Sequence, residues 1–422
     1  GKELENLPAA SFDMLLQGRL AGVNVQNFSG APGMAPSLSV RGTSAISSAY
    51  SDDDYYNVLS QPLYVIDGVP QPTEQYVGPN TGTGTNYLAG LDPNDIESID
   101  VLRDASAAAI YGSQAANGVI MITTKKGVGG QPKLTLSAYS GLTMRPDLRD
   151  VTLGATERRQ KMSVIENQLN YNEKRNLPFL LTDSLNPAFN GNTDWQDLFY
   201  RPGLVNNASL NISGGDAGGQ HNYRFSGSLY DEDGIIRGTG FQRYTTRLNM
   251  VSKAIGSRLM INPILSYSRT SRSRGSGNDA APINLSAGGM PSSLFNLSDK
   301  RREFLLGSYE ENLDRNVGNN FGANINISLD LLPSLKFTSQ NSYLYNTSRR
   351  DYNRPSELMG GNGNYSYSFA TNEEDLRTSN YLNFYQLFGK HTLSALAGQE
   401  VRFNRWQSSF AAGSQGVSDQ IQ

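Results

Sequence analysis

From about residue 132 onward the chain alternates apolar and polar positions with a period of two. Between Asn320 and Asp330, Phe321, Ala323, Ile325, Ile327 and Leu329 interleave with Gly322, Asn324, Asn326 and Ser328. The same rhythm sets Tyr223, Phe225 and Leu229 against Arg224, Ser226 and Ser228, and Tyr244, Thr246, Leu248 and Met250 against Thr245, Arg247 and Asn249. Leu259, Ile261, Leu265 and Tyr267 form a further set, as do Leu393, Ala395, Ala397, Val401 and Phe403. A strand turns successive side chains to opposite faces, so each segment predicts a strand with one face toward apolar surroundings and one toward water. A half-buried soluble sheet and a membrane barrel both satisfy that pattern.

The connections separate the two. Nine strands are predicted, at about 133–144, 207–213, 221–231, 242–252, 257–269, 319–330, 335–347, 379–388 and 391–405. Between them the chain runs long (145–206), short (GGDAGGQ), medium (DEDGIIRGTG), short (KAIG), long (270–318), short (LLPS), long (348–378) and short (GK). Every second connection is short. Outer-membrane barrels place tight turns at one rim and extended loops at the other, whereas a sandwich has no reason to sort its loops. Tyr244, Tyr267, Tyr343, Tyr345 and Tyr381, near strand ends, suit interfacial girdles, although a soluble sheet would carry them as surface tyrosines.

The first 130 residues read differently. Phe12, Leu15, Leu16 and Leu20 fall at helical spacing, with Gly22 ending a helix before Val23 and Val25 alternate as a strand. Ser37 to Gly42 is a second short strand, and Pro62 to Pro70 is an apolar run closed by the turn pair Asp67-Gly68. Pro93-Asn94-Asp95 starts a helical turn before the strand IESIDVLRD; ASAAAIYG is helical up to Gly112, and GVIMITTKKG is a last apolar strand. This is a compact mixed α/β unit. Residues 1–130 carry a net charge of -7 and the remainder +4, and KKGVGGQP (Lys125 to Pro132) sits where the sign changes. We therefore expect domains at 1–130 and 131–422.

Composition supports an all-β remainder and removes most chemistry. Of 422 residues 43 are Gly and 22 Tyr, and only 18% are charged, below the roughly 25% of a soluble domain. There is no Cys, which excludes disulfides, thiolate metal sites and cysteine nucleophiles. His221 and His391 are the only histidines, so imidazole-based catalysis or metal binding is not expected, and no nucleophile–base–acid set stands out. Neither a metal nor another cofactor is anticipated. A net charge of -3 offers no footprint for nucleic acid. No apolar run reaches the roughly 18 residues of a membrane helix, but a barrel spreads its apolar residues over every second position and needs none.

One resemblance is specific. LQGRLAGVNVQ, SGAPG at Ser29 to Gly33, SVRGTSA, PLYVIDGVP and NDIESIDVLRDASAAAIYGSQAANGVIMITTKKG, in this order, resemble the plug domain of SusC-like (SusC/RagA family) TonB-dependent outer-membrane transporters. The resemblance implies a membrane β-barrel of 22 strands in the family, about nine of them present here, enclosing an N-terminal mixed α/β plug. It implies a SusD-like surface lipoprotein as a lid, TonB-ExbB-ExbD pulling on a segment N-terminal to this chain, contact with outer-membrane lipid, and a dimer of such pairs. The implied function is import of oligosaccharide, or of oligopeptide, with no enzymatic step.

Nine strands leave two open edges, which lipid does not tolerate, so the chain reads as part of a longer one, without the terminal aromatic expected of a final strand. A different class of reading takes it as an interaction partner or client of an outer-membrane assembly or secretion machine. A soluble β-sandwich adhesin is a third.

Several residues are candidates for function. Arg41, Glu97 and Arg103 are expected either to pair the plug with the barrel wall or to pair within the plug, and Asp67 and Gly68 to form a plug turn. Tyr50, Tyr55, Tyr56, Tyr76 and Tyr87 are candidates to stack on ligand rings or to pack on the barrel. DEDG (Asp231 to Gly234) lacks full calcium-loop spacing and reads as a hairpin loop. Asp52-Asp53-Asp54 and Thr81 to Gly84 read as plug loops. The SRTSRSRG run (Ser268 to Gly275), at a strand end, reads as meeting lipopolysaccharide phosphates or solvent.

Overall fold

The computed structural model describes residues 11–20, 22–26, 30–34, 36–40, 62–71, 87–102, 109–147, 150–168, 177–274, 292–296, 298, 303, 306, 313–354, 364–389 and 391–414. Two small sheets and one large one organise them.

β1 (Val23–Gln26) and β2 (Ser37–Val40) form an antiparallel pair. β3 (Leu63–Ile66), β4 (Val69–Pro70), β5 (Ile96–Leu102) and β6 (Val119–Thr124) form a mixed sheet in the order β4-β3-β6-β5, with β3 parallel to β6. Asp67 and Gly68 join β3 to β4 at φ 50° and 88°, a hairpin turn in which both central residues are left-handed. Phe12, Leu16, Val25, Leu38, Tyr64, Leu91, Ile96, Ile120 and Ile122 pack into one core, and Leu63, Val65, Ala115 and Val119 into another. β3 is buried on both faces because each core takes one of them, which explains its unbroken apolar run.

Two expected helices are shorter than their spacing suggests. Around Phe12 and Leu16 there is a single 3-10 turn, Met14–Leu16, whose first amide is held by the Asp13 carboxylate at 3.0 Å. Gly18, at φ 71°, ends it. The alanine-rich stretch is a 3-10 segment, Ala109–Ala115, interrupted at Gly112, which adopts φ 59° and ψ -144°.

The large sheet is an antiparallel meander of nine strands in sequence order: β7 (Lys133–Thr143), β8 (Gly203–Gly215), β9 (His221–Asp233), β10 (Thr239–Ala254), β11 (Leu259–Arg274), β12 (Leu313–Leu332), β13 (Leu335–Arg354), β14 (Tyr365–Phe388) and β15 (His391–Ser414). Every expected strand is present, with the expected short connections at one rim; the other rim carries the long ones together with the β9–β10 connection, which contracts to 234–238. Most strands run further toward the long-connection rim than the alternation indicates. The expected connection 348–378 contracts to 355–364, and DEDG begins within β9 instead of a loop. The cause lies in β14, where Ser366, Ser368, Asn372 and Glu374 alternate with Tyr367, Phe369 and Thr371. Apart from Ala370 its outward positions there are polar, so the apolar outward face that marks the other strands is missing although the ladder continues.

The sheet is inside-out relative to a soluble one. Leu229 is 54% exposed, Leu265 45% and Phe321 39%, whereas Arg243 and Asn249, on the opposite face, are each 1% exposed. Apolar side chains outward and polar ones inward is the polarity of a wall between lipid and a polar interior. Tyr267, Phe321 and Tyr345 lie in register across β11, β12 and β13 as an outward aromatic row. Beyond that row, toward the long connections, the outward residues become Arg269, Asn319, Thr347 and Arg349. Among the described residues no helix is long and apolar enough to cross a membrane.

The long β7–β8 connection carries α1 (Gly154–Gln168), α2 (Phe179–Thr182) and α3 (Trp195–Phe199). It is clasped to residues 292–296 of the β11–β12 connection. The Trp195 indole donates to the Ser292 carbonyl at 3.2 Å, and the Gly191 and Thr193 amides donate to the Leu294 and Ser293 carbonyls. Glu157 sits at the centre of the clasp, accepting from the Ser292 hydroxyl at 2.7 Å, the Ser293 amide at 2.8 Å, the Ser293 hydroxyl and Lys161.

Candidate functional site

The chemistry concentrates where the N-terminal sheets meet the polar face of the wall. Odd positions of β10 and even positions of β9, β11, β12 and β13 point at the small sheets, so five neighbouring strands contribute to the seat.

Asp95, in the 3-10 turn Pro93–Asp95 that leads into β5, is buried and aims its carboxylate at β9. Arg224 reaches one oxygen at 2.9 Å and the Ser226 hydroxyl donates to the other at 2.9 Å; Arg224 also bonds Asn211 on β8. Within the small sheet, the Asp95 carbonyl accepts from the Lys125 amide, and Lys125 Nζ donates to the Asn94 carbonyl at 2.8 Å. The carboxylate is thus left to the wall while its backbone is fixed from behind.

Asp67 occupies the β3–β4 turn. Its carboxylate accepts from the Thr124 amide at 2.9 Å and hydroxyl at 2.7 Å, which fixes the turn against β6, and from Arg247 of β10 at 3.4 Å. Its carbonyl accepts from Asn326 of β12 at 3.4 Å. Four residues along β10 from Arg247, on the side away from Arg224, Arg243 donates to the Ala89 carbonyl at 3.2 Å and lies over the Tyr230 ring at 5.2 Å. Ala89 itself packs with Val205, Tyr230 and Phe241, a small apolar patch in an otherwise polar seat.

Glycines permit the approach. At Gly33, φ 66°, an added Cβ would overlap the Phe241 ring, and at Gly68 it would meet the Gln340 amide at 2.7 Å. A crevice of about 80 Å³ remains between Leu88, Gly90, Asp92 and Asp95 on one side and Arg247, Asn324 and Asn346 on the other. Asn324 Oδ1 and Asn346 Nδ2 are buried there without a protein partner. A polar crevice of this size accommodates several waters.

Of the residues expected from sequence, Asp67 and Gly68 form the turn that enters this seat. Glu97 stands exposed on β5, and among the described residues it makes no hydrogen bond or ion pair with the wall. Arg41, Arg103, Tyr50, Tyr55, Tyr56 and Tyr76 lie outside the described residues, as does the side chain of Tyr87, whose backbone is in the 3-10 turn Tyr87–Gly90. Asp95, Arg224, Arg243 and Arg247 were not expected in these roles. Their signal was present as arginines on the polar face of alternating strands, but the partner of each is distant in sequence. The SRTSRSRG run divides between faces: Arg269 points outward, whereas Arg272 and Arg274 point into the interior, and Arg272 is buried. Among the described residues no group of His, Asp or Glu could hold a metal ion.

Comparison with known proteins agrees with this architecture. Residues 1–119 match the model of the TonB-dependent Receptor Plug Domain. The chain is 34% identical over 250 residues to the TonB-dependent receptor SusC of Bacteroides thetaiotaomicron, covering 59% of this chain and 22% of that protein. It is 28% identical over 447 residues to a TonB-dependent receptor of Formosa agariphila, covering 99% of this chain and 39% of the relative. The structure of the RagAB peptide transporter superposes with a TM-score of 0.76 at 21% identity, over all of this chain and 49% of that one. The chain therefore spans less than half the length of these relatives, and its small sheets and meander correspond to a plug and part of a barrel wall.

Proposed function

From the chain's membership of the SusC-like TonB-dependent transporters, we propose that the whole protein draws oligosaccharide or oligopeptide nutrients across the bacterial outer membrane. Residues 1–130 act as the plug and 131–422 as the first part of the wall. A SusD-like lipoprotein covers the rim that carries the long connections. TonB, coupled to the inner membrane, pulls on a segment N-terminal to the plug.

The observation that carries this reading is the seat. A plug with its own apolar core is held to an inside-out sheet by two buried acid–arginine contacts, Asp95 with Arg224 and Asp67 with Arg247. Such contacts exchange for water at small net cost, so the plug is fixed at rest and able to rearrange under force. Ligand captured above the plug is then carried past it when the seat opens. Catalysis has no part in this mechanism.

The test is uptake of fluorescent oligosaccharides and oligopeptides by cells carrying the full-length protein with its lipoprotein. Accumulation should require the protein and collapse when the proton-motive force is dissipated. Accumulation that survives dissipation would remove the TonB-driven mechanism.

A further inference from the structure

Past the row formed by Tyr267, Phe321 and Tyr345, the outward face of the wall becomes basic. On β11, β12 and β13 the described outward residues beyond that row include three exposed arginines, Arg269, Arg315 and Arg349, and one acid, Asp351. The register gathers them into a patch. Arg349 pairs across the ladder with Val317, so Arg315, two residues along β12, is its diagonal neighbour at about 7–8 Å. Arg269 pairs with Asn319, two residues from Val317 on the other side, which sets it about 12 Å from Arg349 and one outward position past Tyr267.

The guanidinium forks of this patch are open. Arg349, 65% exposed, donates through Nε to the Asp351 carboxylate at 2.8 Å, and Arg315 through Nε to the Ser271 hydroxyl at 3.0 Å. Among the described residues the terminal nitrogens of both make no further bond, and Arg269 makes no hydrogen bond or ion pair at all. Asp351 also accepts from the Ser368 hydroxyl at 2.7 Å, so the one acid is held within the wall. Between the arginines the neutral groups satisfy one another: the Tyr267 hydroxyl donates to Asn319 at 3.2 Å, and the Asn319 amide donates to the Thr347 hydroxyl at 3.1 Å. On the other side of the aromatic row the outward face is apolar and exposed at Leu265 and Ile325.

We propose that this patch binds the phosphate of an outer-leaflet lipid, the phosphorylated glucosamine headgroup of lipopolysaccharide. Arg315 and Arg349 hold the phosphate through their terminal N–H groups, and Arg269 meets the headgroup nearer the apolar band. A guanidinium suits phosphate because its parallel N–H donors match two oxygens. An anion that carries acyl chains fits this place better than a free one, since Leu265 and Ile325 offer the chains an apolar surface beneath the charge. Of the run Ser268 to Gly275 only Arg269 serves this surface; the other two arginines come from β12 and β13. The proposal rests on the wall lying in the outer membrane with its long connections outward, and is independent of what is imported.

The experiment uses the purified full-length protein in detergent micelles, with native mass spectrometry reporting bound lipid. The probes are monophosphoryl lipid A, the same lipid with its phosphate removed, and inorganic phosphate. The phosphorylated lipid should bind at least about tenfold tighter than its phosphate-free form. Arg315→Gln combined with Arg349→Gln should erase that preference while leaving the phosphate-free lipid within about twofold. Asp351→Asn, which removes the one acid, should instead tighten the phosphorylated lipid about two- to fivefold, a gain that misfolding could not produce. Inorganic phosphate at the lipid's own concentration should not displace it; displacement at parity would assign the patch to a free anion and overturn the lipid. Equal binding of the two lipids, or a preference unchanged in the double variant, would overturn the site and leave import standing. A full-length protein that stays dispersed without detergent would overturn the membrane placement and the lipid site together.

Discussion

Replacing Asp95 by Asn tests the seat directly. The carboxylate and the Arg224 side chain are 5% and 13% exposed, and they approach to 2.9 Å. Breaking a buried pair by removing one partner costs about 3–5 kcal/mol, chiefly because the remaining charge is left without compensation. Arg224 keeps its bond to Asn211, so the expected loss is about 2–3 kcal/mol, or roughly 30- to 150-fold in the equilibrium between seated and released plug. The assay is conductance of the full-length protein in a planar bilayer as urea is raised, since release of the plug opens a path through the wall. Asp95→Asn should open at lower urea, and Arg224→Gln likewise. The double variant should be less damaging than the sum of the two, because it removes the orphaned charge with the pair. Glu97→Ala, which removes an exposed carboxylate, should leave the midpoint unmoved. An unchanged midpoint for Asp95→Asn, or strict additivity in the double variant, would refute the argument that this contact holds the plug.

Gly33→Ala should loosen the plug more than a surface Gly→Ala change, since it adds strain at φ 66° and drives a methyl into the Phe241 ring; limited proteolysis should detect earlier cleavage, and adding Phe241→Ala should recover part of the resistance. The clasp between the long connections should fail in acid. Burial alone would raise the Glu157 carboxyl, but hydrogen bonds from Lys161, Ser293 and Ser292 outweigh it and hold it below the ordinary value of 4.5. Its stabilisation is therefore complete above about pH 4.5 and is lost as pH falls through the lowered folded-state value. Amide exchange across 154–168 and 292–296 should be steady above that pH and quicken relative to the rest of the protein below it, and Glu157→Gln should remove the step; a step that persists in Glu157→Gln would place the titration elsewhere. Asp194 caps α3 by accepting from the Gln196 and Asp197 amides, so Asp194→Ala should cost about 1 kcal/mol, seen as faster amide exchange across 195–199.

The wall was legible because lipid imposes a rule on alternate residues. Phe321, Ala323, Ile325, Ile327 and Leu329 could be assigned one face with no knowledge of what lay beyond it. The same rule explains what was missed. Residues 365–373 of β14 lie past the aromatic row, where Ser366, Ser368 and Asn372 need only water on the outside, so a genuine strand carries the composition of a loop. The plug's strands were legible through their apolar runs and the Asp67-Gly68 turn, but its helices were overestimated: Phe12 and Leu16 keep helical spacing across a single turn because both enter the same core. The seat was least legible. Asp95 and Arg224 are 129 positions apart, and nothing local to either distinguishes it from a solvated charge. Glu97, two residues from Asp95, was the more conspicuous acid, yet the strand's period two turns it away while the preceding turn delivers Asp95 to the wall.

The distribution of apolar and polar contacts bears on how such a plug yields. Its interior holds nine buried apolar side chains in one cluster alone, each contributing about 1.5–3 kcal/mol on burial. Its attachment to the wall is made mainly of hydrogen bonds and acid–arginine pairs, whose net contributions are about 0.5–1.5 kcal/mol each where water can replace the partner. The crevice lined by Asp92, Asp95, Arg247, Asn324 and Asn346 already leaves buried polar atoms facing space that water can occupy. A load applied to the N-terminal side therefore meets a soft seam around a firmer body. Parting that seam exposes groups that water solvates well, whereas opening the body exposes Phe12, Ile96, Ile120 and Ile122. The polar inner face of the wall thus has two consequences from one cause: it seats the plug through specific contacts, and it keeps the energy of unseating below that of unfolding.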